Sequence, residues 1–295
     1  MIGYRISQVE LQARIKALNP TWINRASDRT DIFRAKGFYK EKSSIWSEVK
    51  QVYMELQGEC KCAFCERKLE SVQYGKGEQD VEHFRPKKKV EPWRIPKHIK
   101  DQGVNPTPVP NKNRGYYILP YHPFNYAASC KPCNSLLKGN YFPIAGNYLF
   151  KGDDPKGLMS EKPYLIYPIG DFDDDPEDLI RFHGVSPQAV AEDKYKKARA
   201  MVTIDIFKLD DIADRNNLLR ERAIIIVALN PQLEKLANGA TGSMKTKAYE
   251  LIDGFISANS SHTNCARSFK NLFETNSAEA KAIFDRAVEL IVSSS

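Results

Sequence analysis

Four cysteines stand in two identically spaced pairs, Cys62-x-x-Cys65 and Cys130-x-x-Cys133. Thiolates at i and i+3 on a tight turn can face one ion, and two such pairs complete a tetrahedral zinc site with no open position, so the zinc would be structural. The 64 residues between Cys65 and Cys130 are too many for a compact finger. The ion would instead clamp the two ends of a folded insert that has little core of its own. Cys60 and Cys265 fall outside the pattern and read as structural thiols.

Within the clamp lie Glu82 and His83, and Asn134 directly follows the last cysteine, with Lys138 one helical turn further on the same face. Hydrolysis of a phosphodiester needs an activated water, a cation that stabilises charge on the phosphate and leaving oxygen, and cationic positioning groups. A divalent cation on Glu82 and Asn134, with His83 facing the water, meets that need. Neighbours on a strand point to opposite faces, so Glu82 and His83 can share a ligand only at a bend or a twisted end. Arg85, Lys87, Lys88 and Lys89 follow at once and suit phosphate-backbone contacts, which add affinity without sequence specificity.

The charge distribution agrees. Residues 61–140 hold 15 Lys/Arg against 7 Asp/Glu, whereas 151–193 hold 4 against 11, in a chain of net charge +7. A polyanionic partner at the cysteine region fits this. Asp171-x-Asp173-x-Asp175 is not a calcium loop, because Pro176 stands where Gly is needed and the closing Glu is missing; turn chemistry and acidic helix capping are expected there. His98, His183 and His262 read as structural, and His122, three residues before Asn125, as a group that could support the site from behind.

Several elements must position these residues. Residues 1–58 read as helical, with Ser44 capping a helix that carries Ile45, Trp46, Val49, Val52, Tyr53 and Leu56 and ends at Gly58. A knuckle, a turn at Tyr74-Gly75-Lys76-Gly77 and a strand over 80–84 should follow. The Pro-rich stretch 91–115 reads as loop, 116–121 as a second strand, and 130–138 as a helix stopped by Gly139. Residues 140–185 look irregular. The pattern is helical again from 187, with Pro231 expected to kink or end one helix and further pieces near 244–258 and 277–292. This divides the chain into a helical segment 1–58, a core 59–145, an acidic connector 146–185 and a helical region 186–295. No apolar run is long enough to span a bilayer and the N-terminus lacks a signal-peptide pattern, so a cytoplasmic protein without membrane partners is expected.

Cys-Ala-Phe-Cys-Glu at 62–66, Val-Glu-His-Phe-Arg-Pro-Lys at 81–87, Phe124-Asn125, Cys-Lys-Pro-Cys-Asn at 130–134 and Lys138-Gly139 together resemble the HNH endonuclease family. More narrowly, they resemble the HNH nucleases of bacterial anti-phage operons, such as the nuclease subunit of Septu systems and of certain retrons. The likeness continues through Tyr141-Phe142-Pro143, Glu161-Lys162-Pro163-Tyr164-Leu165 and Asp174-Asp175-Pro176-Glu177, and spans roughly residues 59–220. It implies an α+β chain: a small ββα-metal core with a four-cysteine zinc site, embedded in a mostly helical surround. It further implies His83 as general base, Glu82 and Asn134 as ligands of catalytic Mg²⁺ or Mn²⁺, Asn125 orienting the histidine, and Lys138 contacting phosphate. The sequence departs from the family by spacing Lys138 four rather than three residues after Asn134, and by Glu82 where Asp is commoner. The implied activity is metal-dependent DNA cleavage, with RNA left open, as the effector of a defence system with an ATPase partner. The alternative is a non-catalytic zinc-stabilised module that binds nucleic acid or protein. It would leave Glu82, His83, Asn125 and Asn134 without a common purpose.

Overall fold

The computed structural model describes residues 1–75 and 77–293; the turn expected at 74–77 includes Lys76, which lies outside the described residues. The chain opens with α1 (Gln8–Leu18), capped by the Ser7 side chain, and α2 (Trp22–Lys36), which ends at Gly37 in the left-handed conformation. A 3₁₀ turn (Trp46–Val49) leads into α3 (Lys50–Leu56), so the helix expected over 45–56 is present but tighter at its start.

Two short strands, β1 (Gln79–His83) and β2 (Tyr126–Cys130), pair antiparallel with Glu82 opposite Ala127 and His83 opposite Tyr126. The second strand therefore lies about ten residues beyond the expected position. The aromatic stretch 116–121 is buried but turns on itself, with the Leu119 N–H donating to Tyr116 O, while the plainer Tyr-Ala-Ala-Ser-Cys run forms the strand. Small side chains win there because α3 packs closely on β2, and the Gln57 side chain bonds both the N–H and the C=O of Ala128. Between the strands, the expected loop holds one short helix, α4 (Lys97–Lys100).

A π-helix, Pro132–Lys138, follows β2 directly and ends at Gly139. The acidic stretch then yields α5 (Pro176–Leu179), capped by the Asp175 side chain as its composition suggested, and a hairpin of β3 (Ile180–His183) and β4 (Ser186–Ala189) that the sequence did not announce. The remainder is helical: α6 (Lys194–Ile206), α7 (Asn216–Ala237), α8 (Gly242–Ile256), α9 (Thr263–Thr275) and α10 (Ser277–Ser293). Pro231 neither ends nor divides α7. The helix is held by α8, α9 and α10 and buries Leu229, Asn230 and Leu233 around the proline, which outweighs the one missing backbone bond. Two small sheets within a mainly helical chain make the fold α+β. Its apolar core is continuous from Met1 to Ala287. Among the described residues, no helix is long and apolar enough to cross a membrane.

Candidate functional site

The first cysteine pair sits on a knuckle in which the Cys62 N–H donates to Arg67 O and the Glu66 N–H donates to Cys62 O at 3.1 Å. Glu66 takes a positive φ of 62° to close the turn. The Ala63 N–H donates to Ala128 O, fastening the knuckle to β2, whose last residue is Cys130. Cys133 lies at the start of the π-helix. All four cysteines are buried, and their sulfurs lie within 4.8 Å of one another, Cys65 and Cys130 being 3.8 Å apart. A regular tetrahedron with zinc–sulfur bonds of about 2.3 Å has edges of roughly 3.8 Å, so the cluster fits a structural zinc ion. Both terminal nitrogens of Arg215 lie 3.9 Å from the Cys133 sulfur. Burial disfavours its charge, but the charges of Cys133 and Cys65 outweigh that and raise its pKa. Four thiolates on Zn²⁺ leave two net negative charges, which this guanidinium helps to balance. No motif singles Arg215 out; only the fold brings it here.

Beside the clamp, a cavity of about 330 Å³ has Trp46, Glu82, His83, Lys87, Asn134 and Ser135 in its walls. Four successive residues of β1, Asp80, Val81, Glu82 and His83, line this cavity. Adjacent residues can thus reach one cavity while their side chains take separate partners. His83 lies at the strand end, its ring edge-on to Trp46 (4.7 Å) and Tyr126 (5.2 Å). Its Nε2 lies 3.2 Å from Pro120 O. A carbonyl can only accept, so Nε2 carries the proton and Nδ1 keeps its lone pair. Burial, then the nearby Lys87 charge, push the His83 pKa well below its ordinary value, so the ring is neutral at pH 7. The Lys87 ammonium donates to Nδ1 at 3.3 Å and lies 4.6 Å over the Trp46 ring.

Glu82 is buried and pairs through Oε1 with the Lys138 ammonium at 2.5 Å; the same ammonium donates to His83 O at 3.1 Å. Burial raises the Glu82 pKa against the opposing pull of Lys138. Asn134 adjoins Cys133, and its carbonyl accepts from the Gly139 N–H at 2.8 Å, the i→i+5 closure of the π-helix. Glu82 and Asn134 offer oxygen donors on one cavity wall, the donor type hard divalent cations take. Because Lys138 already neutralises Glu82, the pair offers such an ion less charge than a free carboxylate would.

Several expected positions differ. Lys138 is fully buried on Glu82 instead of open to phosphate. Asn125 does not meet the His83 side chain: its Oδ1 accepts from the Arg85 N–H (2.7 Å), and its Nδ2 donates to Arg85 O and Leu119 O (3.1 Å each). It fixes the backbone two residues after the histidine and ties it to Leu119, next to the Pro120 that holds the His83 ring. Arg85 is not a surface cation. Its guanidinium is buried among Phe84, Tyr116 and Phe142, pairs with Glu161 at 3.2 Å and donates to Leu158 O. Lys88 and Lys89 are exposed as expected. His122 accepts from the Phe124 N–H, shaping the turn before Asn125. Buried His262 pairs with Glu221, and the buried Cys265 thiol, its pKa pushed up to about 12 by burial, donates to Gly184 O. Asp173 and Asp174 hold Arg199.

No family model matches the chain, and no solved structure matches it. Among curated proteins, it is 30% identical over 176 residues to the Septu protein PtuB of Bacillus mycoides (strain KBAB4), an alignment covering 60% of this chain. The chain spans about half the length of that relative. In sequence, then, this zinc-fitting α+β chain is similar to a Septu protein.

Proposed function

We propose that the chain is a metal-dependent HNH-type endonuclease that hydrolyses DNA and serves anti-phage defence alongside an ATPase partner. The observation that carries the reading is the His83 ring. Its Nε2–H is fixed on Pro120 O, which leaves an unprotonated Nδ1 on a ring that lines the same cavity as Glu82 and Asn134. A neutral nitrogen so held is fit to take a proton from water. Lys87 would hand its hydrogen bond from Nδ1 to an incoming phosphate oxygen, freeing the base. Glu82 and Asn134 would hold Mg²⁺ or Mn²⁺, which when bound would offset charge on the phosphate and leaving oxygen. Because Lys138 offsets the Glu82 charge, the substrate phosphate itself would supply part of the cation's binding. Similarity to the Septu protein supports the defence role and a partner.

Plasmid cleavage with Mg²⁺ or Mn²⁺ tests this, comparing wild type with His83→Ala at equal zinc content. Cutting by wild type alone is expected. Equal cutting by both overturns the site. Equal DNA binding with no cutting by either, with the ATPase partner also present, favours the non-catalytic zinc module.

A further inference from the structure

Beyond the cavity, the end of α2 and the segment after it form a groove of about 630 Å³ lined in part by exposed Ile32 and buried Phe33. Lys36, Lys40 and Lys42 line it and are exposed. The other cations of α2 are already paired: Arg25 with Glu48, Arg29 with Glu41, and Arg34 with Asp31 and Asp153. Among the described residues no acidic group pairs with the three lysines. Glu41, the one carboxylate between them, is occupied by Arg29 (2.7 Å), the Tyr39 hydroxyl (2.8 Å) and the Tyr121 hydroxyl (2.6 Å). The groove therefore carries three uncompensated positive charges beside apolar Ile32 and Phe33.

Its position gives those charges a use. Tyr39, between Lys36 and Lys40 in sequence, lies 6.3 Å from Trp46, and Trp46 lies 4.7 Å from the His83 ring. Trp46 thus touches both Tyr39, on the segment that carries the lysines, and the His83 ring of the cavity. Lys87, whose ammonium lies over the same Trp46 ring, also lines the cavity, and exposed Lys88 follows it in the chain. A nucleic-acid strand carries one phosphate about every 3.4 Å of duplex axis, so a backbone engaged at His83 reaches the groove within a few nucleotides.

We propose that Lys36, Lys40 and Lys42 form the track along which the sugar–phosphate backbone of the nucleic-acid substrate leaves the cavity. This inference rests on the nuclease reading of that cavity, and it places a substrate-binding element in the N-terminal helices.

The test uses the full chain carrying His83→Ala, so that binding is read without cleavage, and a fluorescent duplex of mixed sequence without added divalent cation. Lys36→Glu/Lys40→Glu/Lys42→Glu is compared with Lys245→Glu/Lys247→Glu on α8, which reverses lysine charges away from the groove; zinc content and circular dichroism confirm folding. The groove variant should bind roughly tenfold or more weakly at about 0.1 M salt, and its salt slope should fall by about 0.9 for each phosphate it no longer neutralises. Equal affinity and slope in the two variants would overturn the track. That failure is separable from failure of the nuclease reading, which shows instead as cutting that survives His83→Ala.

Discussion

Lys138 and Glu82 meet as a buried ion pair 2.5 Å apart, bridging the π-helix and the strand that carries the histidine. Truncating one partner of such a pair strands the other charge, at a cost of about 3–5 kcal/mol. Lys138→Met should therefore destabilise the chain by that order, and Lys138→Met/Glu82→Gln by clearly less than the sum of the single changes. Urea unfolding of the four species checks this; additive losses would mean that the pair is not coupled.

The pH dependence of cleavage follows from His83. Its folded-state pKa is lowered by burial and by Lys87, so the neutral base is present at pH 7 and is lost only as pH falls through that lowered value. The unfolded chain takes up this proton near pH 6.5, so stability also declines as pH drops below that point. Cleavage should stay level from pH 7.5 to about 6.5. Lys87→Met removes the neighbouring charge and should move the acid limb upward. A wild-type rate already halved at pH 7 by a His83-dependent step would contradict this.

How much of this is legible in the sequence depends on what each residue needs. The cysteine pairs, β1 and the Asn134 helix can be read because their chemistry depends on local spacing. Asn125 stands out, but its partner does not, because its bonds reach the Arg85 main chain forty residues earlier, a relation set by strand pairing. Arg85 looks like part of a basic patch; only packing against three aromatic rings and Glu161 reveals it as core. The second strand is misplaced because aromatic content is a weaker guide than the need for small residues under α3.

The three hydrogen bonds of Asn125 make a specific prediction. Asn125→Ala should cost about 2–4 kcal/mol at roughly 1 kcal/mol per buried bond. Asn125→Asp should be worse than its similar shape suggests, since it keeps the acceptor for the Arg85 N–H but turns a carboxylate toward two carbonyl oxygens. Thermal unfolding at pH 7 ranks the two; an Asp variant as stable as wild type would show that Nδ2 does not matter.

Arg215 is expected to hold zinc without ligating it. Groups that support a metal's ligands typically change affinity by about 10–100-fold when removed. Arg215→Met should therefore lose zinc to a chromogenic chelator at least tenfold faster than wild type, with Arg215→Lys in between. Cys133→Ser should not retain zinc through purification. Unchanged release in Arg215→Met would reduce the guanidinium to a packing role.

The knuckle has one more attachment. Lys61, next to the first zinc ligand, is fully buried, and its ammonium donates to Ala258 O, Ser260 O and the Thr263 hydroxyl, at the connection between α8 and α9 and the first residue of α9. Excising the cysteine-bearing segment near residue 145 is therefore expected to strand that buried ammonium. Its receptor for that lysine, and the arginine beside its sulfurs, both belong to the last third of the chain. Recombination that shuffled this segment onto a foreign scaffold would strand a buried ammonium, so the C-terminal helices and the knuckle are expected to be inherited as one unit.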